Sequence, residues 1–233
     1  LHVEASIPHV REALDTLPAW SKQLASAELD GSATATLDVS RTPAGELIRL
    51  RGDASGLQCT IAGPAPVFKP IGVPCRLELD ARRDAQAHEL WHIEPGSAQL
   101  AACRLQWDTG QVQLAPGWAA WWNASSPGAG VAPLPAGPRI EHLSLSASVD
   151  AEIDAALRGL SPVIEDWINR LGLVGQLAGQ FVLHASPRAQ QIAGTLNATQ
   201  ARVSVTLPDD TPFTKPIGTE ASIAFDAEYT RET

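Results

Sequence analysis

The sequence predicts a mainly β protein with short helices (α+β), made of antiparallel sheets that are apolar on one face only. The sheets are expected to form a curved groove or a sandwich-like layer. Two observations predict this. Several segments alternate apolar and polar residues with period two, and a block of about 146 residues occurs in tandem. The 18 Gly and 18 Pro fall largely between the alternating segments, where turns are required.

Near the start, Ile7, Val10, Leu14, Leu17 and Leu24 step at helical spacing, with Pro18 inside, and predict a kinked amphipathic helix. In "ATATLDVS" (33–40) Ala33, Ala35, Leu37 and Val39 share one face, and Thr34, Thr36, Asp38 and Ser40 the other. "RLELDAR" (76–82) sets Leu77, Leu79 and Ala81 against Arg76, Glu78 and Asp80. "HELWHIEPGSAQLAACRLQW" reads as a strand–turn–strand hairpin, 88–94 pairing with 97–107. "PGWAAWWN" (116–123) places Trp118, Trp121 and Trp122 on one side of a helical turn, open to core packing or to a lipid interface. Residues 123–138, rich in Pro, Gly, Ser and Ala, are the expected boundary loop. "EHLSLSASV" (141–149) alternates again. Ile153, Leu157, Leu160, Ile164, Trp167 and Leu171 then form a helical stripe over 150–171, with Asp150 capping its start. Within it, Ser161 is the expected N-cap of a restart whose first residue is Pro162. "ARVSVTL" (201–207) and "ASIAFDA" (221–227) close the series of strands.

The repeat divides the chain into 1–138 and a shorter second copy, 139–233. "VFKPIGVPCRLELDA" (67–81) matches "FTKPIGTEASIAFDA" (213–227) at an offset of 146. Lys69, Pro70 and Gly72 thereby match Lys215, Pro216 and Gly218. The same offset pairs Leu57 with Val203 and Leu50 with Leu196. Further upstream an offset of 144 pairs Pro18 with Pro162 and Gly31 with Gly175, so a two-residue insertion is expected between these blocks. Pro-x-Gly suits a turn before a strand. Two of the three lysines stand in this motif. Each is expected to pair with Asp80 or Asp226, or to bond exposed carbonyls. A phosphate or lipid headgroup is the sharper alternative.

The formal net charge of −9 argues against nucleic-acid partners. No apolar run is long enough to span a bilayer as a helix. The absence of methionine reads as a processed chain or a piece of a longer one. Cys59, Cys75 and Cys103 lack metal-site spacing. They are expected to be small buried residues, with a Cys59–Cys75 disulfide as the other reading. "HELWH" fits the zinc-protease pattern at His88, Glu89 and His92, which requires a helix. Pro95-Gly96 and flanking strand patterns argue for a strand instead, so a zinc hydrolase is rejected as the main reading. No nucleophile-elbow, Walker or dinucleotide pattern is present, and no catalytic residue, metal or cofactor is expected.

A helix, alternating strands and the pattern F-x-K-P-x-G before a strand ending in Asp-Ala resemble the repeat of the AsmA-like family of bacterial envelope proteins, the AsmA/TamB/YhdP type. The resemblance covers roughly residues 14–84 and 157–231. It implies a non-enzymatic, periplasmic segment of an inner-membrane-anchored protein. Its repeats would form an apolar β-groove that carries phospholipid between inner and outer membranes, with membrane contact through other parts of the protein. The implied acyl lining is Leu37, Val39, Leu57, Leu77, Leu79, Val203, Val205, Ile223 and Phe225. A structural or adhesion-type β-module with a closed core is the alternative, since alternation alone fits both.

Overall fold

The computed structural model describes residues 2–10, 27–61, 66–86, 89–124, 140–153, 161–206 and 210–230. The first unit comprises β1 (His2–Ile7), β2 (Ala27–Gly31), β3 (Ala33–Thr42), β4 (Gly45–Asp53), β5 (Leu57–Ile61), β6 (Val67–Lys69) and β7 (Cys75–Asp84). It continues through β8 (Leu90–Ile93), β9 (Gly96–Leu100), β10 (Cys103–Leu114) and the helix α1 (Pro116–Ala124). The second comprises β11 (Ile140–Glu152), α2 (Pro162–Arg170), β12 (Val174–Ala185), β13 (Ala189–Asn197), β14 (Ala201–Thr206), β15 (Pro212–Lys215) and β16 (Ser222–Thr230).

One antiparallel sheet runs through both units in the order β1-β3-β4-β7-β8-β10-β11-β12-β13-β16, with β9 also between β7 and β10. It is curved and not closed into a barrel. The alternation read from the sequence is the alternation of burial, most regularly along β12 and β14.

Each unit bends at one level. β3 is preceded by β2, β4 is followed by β5, and β7 is preceded by β6. The three outer pieces form their own sheet, β2-β5-β6. In the second unit the first residues of β12 pair with β14, and β14 with β15. Gly31 (φ 105°) and Gly175 (φ 111°) stand at the bend in equivalent positions. A Cβ there would overlap the carbonyl oxygen of Gly56 or Gln200. Gly175→Ala is therefore expected to cost about 2–3 kcal/mol, read as a lowered urea midpoint.

The registers also correct the expected alignment. Leu37 faces Leu50 as Phe181 faces Gly194, and Lys69 faces Cys59 as Lys215 faces Val203. Leu50 thus answers to Gly194 rather than Leu196, and Leu57 to Ala201 rather than Val203. The insertion lies in the β5–β6 and β14–β15 connections, where added residues leave the ladder intact.

Other expectations change locally. Ile7 ends strand β1, and the rest of the first helical stripe falls mainly in 11–26, outside the described residues. Asp150 lies within β11, opposite Arg104 and Ala178, rather than at the start of a helix, while 154–160 of the second stripe and 125–138 of the expected boundary loop lie outside the described residues. The ladder bonds available on both sides of β11 outweigh a cap. α2 does begin at Pro162, with the Ser161 carbonyl accepting the Glu165 N–H at 2.9 Å, but the buried Ser161 hydroxyl bonds no group among the described residues, which corrects its expected side-chain cap. It ends on Gly172 (φ 50°), where Leu173 N–H bonds the Ile168 carbonyl and Gly172 N–H that of Asn169. Ile168 packs with Ile153, Ala201 and Leu177 and closes the bend of the second unit.

Candidate functional site: an apolar face across ten strands

Directly opposed residues in antiparallel ladders share a face. Ala5, Ala35, Gly52, Leu77, Ala98, Leu105, Val149, Gly179, Leu196 and Ile223 stand in one line across ten strands. A second line on the same face is Val39, Ile48, Ala81, Ile93, Gly110, Leu145, Leu183, Ile192 and Ala227. No polar side chain interrupts either. At ~4.8 Å between strands, the first line is about 43 Å long.

This face is only partly covered. Leu77 is 36% exposed and Ile223 59%. Among the described residues nine apolar side chains are buried, and on this face they are mainly Trp91, Trp107, Ala147 and Ala151. Glycines shape the surface. A Cβ on Gly96 would meet the Trp107 ring, one on Gly110 the Leu145 and Ile93 methyls, and one on Gly194 the Phe181 side chain. The large side chains thus lie flat over neighbouring backbone, as aromatics do over glycines in sheets. The opposite face carries Gln106, Ser148, Gln180 and Thr195, which line an open hollow together with Arg104, Asp150 and Asn197.

Of the expected lining residues, Leu37, Val39, Leu77, Leu79, Ile223 and Phe225 share the apolar face of the large sheet. Leu57, Val203 and Val205 instead lie beyond the bend, on β5 and β14, and this corrects their place in the lining. The apolar-face residues of β8, β10, β12 and β13 were not among those expected. In β10 the signal is broken by a register shift between Trp107 and Thr109, which puts Trp107 and Gly110 on one face.

One end of the face is charged. Arg41, Glu46 and Arg83 follow one another across the strands, and Arg83 reaches the Trp91 ring. Arg83 Nη2 donates to Glu46 Oε2 at 2.6 Å, Arg41 also pairs with Glu46, and the Arg83 guanidinium lies 5.2 Å from the Trp91 ring centre. The equivalent residues of the second unit, Ala185, Gln190 and Tyr229, are uncharged. Inward ionic groups of this kind limit an apolar face and oppose wrong registers.

The K-P-I-G lysines are joints of the bend. Lys215 Nζ donates to the carbonyls of Ala198 (2.8 Å) and Ala201 (2.7 Å), with Thr199 and Pro216 at 3.5 and 3.4 Å. Lys69 Nζ donates to Leu57 (2.5 Å), with Ser55 and Pro70 at 3.4 Å. Both are buried. Gly72 and Gly218, at φ 87° and 88°, bond Ser55 and Thr199 through their N–H groups. Pairing with Asp80 or Asp226 is thereby replaced. Asp80 takes Arg51 and Asp226 takes Gln191. The bend strips these carbonyls of ladder partners, and an ammonium with three donors fits the gap. An ammonium occupied in this way gives no support to a phosphate ligand.

Within HELWH, Leu90, Trp91 and His92 are strand, not helix. Trp91 and Ile93 face the apolar side, and His92 lies opposite Gln111 and Arg82 on the polar side. Glu89 precedes β8, and His88 lies outside the described residues. Among the described residues no three His, Cys, Asp or Glu come together as a metal site. The expected 88–94/97–107 hairpin is corrected too. β8 and β9 are successive pieces of one broken strand position between β7 and β10, and the hairpin is β9–β10. Pro95, with no N–H for the ladder, marks the break. Trp118 sits half-buried in α1, and for Trp121 and Trp122 only the backbone is described.

All three cysteines are free and half-buried. Cys75 and Cys103 flank Leu100 in one cross-strand line of the apolar face. Burial pushes the Cys59 thiol above its ordinary pKa, Cys75 adding to this and Lys69 opposing it. Burial also raises Cys103, with Asp150 adding. A raised pKa keeps the thiol protonated at pH 8. Cys59 and Cys103 are expected to react with Ellman's reagent at least tenfold more slowly in the native chain than in urea.

No family model matches this sequence, and no curated protein or solved structure matches it.

Proposed function

We propose that the apolar face is an acyl-chain groove, and that this chain is a non-enzymatic section of a lipid-conducting envelope protein of the AsmA-like kind. The observation that carries the reading is the unbroken apolar line across ten strands of a sheet that does not close on itself. A sheet with one apolar face requires a cover. A phospholipid's acyl chains supply one without chemistry, and one leaflet of bilayer hydrocarbon, about 15 Å, is well within the ~43 Å line. The polar opposite face, on a chain of formal net charge −9, keeps such a groove in water. The reading places the segment in the periplasm. No helix among the described residues is long and apolar enough to cross a membrane.

Native mass spectrometry of the chain purified from bacterial envelopes tests this. Co-purified phospholipid is expected. Lipid-free protein that also fails to take up an NBD-labelled stearate would refute the groove.

A further inference from the structure

We infer that His142 of β11 and His184 of β12 form a two-imidazole chelate for a first-row transition-metal dication on the polar face of the sheet. The inference does not depend on the lipid reading. His142 lies across from Gln113, and His184 across from Ser144. Ser144 is two residues beyond His142 on the same strand, and so on the same face. The two histidines are thus diagonal neighbours on adjacent strands, within reach of each other's side chains. Their ring centres are 6.1 Å apart, with the planes 20° from parallel. Both residues are exposed.

That separation suits a shared ion. A metal about 2.0–2.1 Å from one nitrogen of each ring lies about 3.2 Å from each ring centre. Two rings that share it then have centres about 5 to 6.4 Å apart, as the N–metal–N angle opens from tetrahedral to linear. The observed 6.1 Å falls in this range, so the strands need not move. Near-parallel rings do have to turn about χ2 to aim one nitrogen each at a common point. At exposed positions such turns are fast and meet little resistance.

The donor set selects the ion. Imidazole suits Ni²⁺, Cu²⁺ and Zn²⁺, whereas Mg²⁺ and Ca²⁺ take oxygen ligands. Gln113 and Ser144 bring an amide and a hydroxyl oxygen beside the pair, and water completes the sphere. His92 shares the polar face but lies across from Gln111, which lies across from Ser144. It is therefore three strand spacings from His184, roughly 14 Å, and outside the chelate. An ion held by both imidazoles ties β11 to β12 and stabilises the folded chain by mass action.

The test titrates the full chain with Ni²⁺ by calorimetry, with Mg²⁺ as the control ion. Side-chain NMR follows the histidine rings in parallel. Paramagnetic Ni²⁺ is expected to broaden the His142 and His184 ring protons together, at the same added equivalents. His142→Asn and His184→Asn are each expected to weaken the tightest Ni²⁺ site at least tenfold, because either change destroys the chelate. His92→Asn is expected to leave that site unchanged. Circular dichroism checks that each variant is folded. Three results would overturn the chelate. One is a tightest site that both single variants leave intact. Another is loss of one weak site per variant with the affinity of the other unchanged, which marks two independent surface imidazoles. The third is equal uptake of Ni²⁺ and Mg²⁺.

Discussion

Lys215→Met is expected to destabilise the chain by about 3–4 kcal/mol, measured from urea unfolding. The side chain is 9% exposed, and its ammonium holds the Ala198 and Ala201 carbonyls at 2.8 and 2.7 Å. Met keeps the apolar stem and removes all the donors. Hydrogen bonds to charged groups contribute about 1.5–3 kcal/mol each, and the loss at the Ala201 carbonyl adds about 1–3, whereas the Ala198 carbonyl keeps the Ala201 N–H at 3.0 Å. The cost of burying the ammonium is recovered, so the sum falls short of the gross figure. Lys215→Arg is not expected to rescue, because a planar fork does not converge on carbonyls gathered around one point. Lys69→Met is expected to lose less, since only its bond to Leu57 is short. A surface pair with Asp226 would instead be worth under about 1 kcal/mol. Losses that small at both lysines would remove the joint from the bend.

The strands whose alternation is uninterrupted, β3, β7, β11, β14 and β16, were legible because period two is written directly into the side chains. That six of the nine residues expected to line a groove share one apolar face was legible for the same reason. The K-P-I-G turn was legible, but the role of its lysine was not. That role depends on carbonyls 12 to 17 residues upstream, exposed only by the bend. The alignment failed by two residues because a shift of two keeps every side chain on its face, so alternation does not detect it. Residues 88–107 misled for a different cause. A strand broken at Pro95 and a hairpin turning there share the same local pattern, and only the pairing of both pieces with β7 and β10 separates them. Asp150 looked like a cap because a polar residue precedes a helical stripe, yet β11 runs on through Glu152. Whether the apolar face is covered was not in the pattern at all. Strand order decides it, and the order found leaves the two edges, β1 and β16, unjoined.

An open face and a sealed core respond oppositely to charge, and Leu77→Glu combined with Leu105→Glu exposes the difference. The two residues lie in one apolar line, separated by Ala98 of β9, roughly 10 Å apart. In a closed core, two unpaired carboxylates would unfold a marginally stable domain. Here Leu77 is already 36% exposed and Leu105 is half-buried, so a carboxylate at either position is expected to reach water. The pair is expected to cost less than about 2 kcal/mol, most of it from lost apolar contact. Acyl binding is expected to fall at least tenfold, because an alkyl chain lying along that line would have to desolvate two charges. An NBD-labelled stearate reports binding through its emission, and urea unfolding reports stability on the same sample. Ser146→Glu and Ser148→Glu, on the polar face of β11, are the matched control and should change neither. Stability lost with binding would indicate a sealed core. Both retained would place any lipid away from this line, and only the split outcome fits an open groove lined by Leu77 and Leu105.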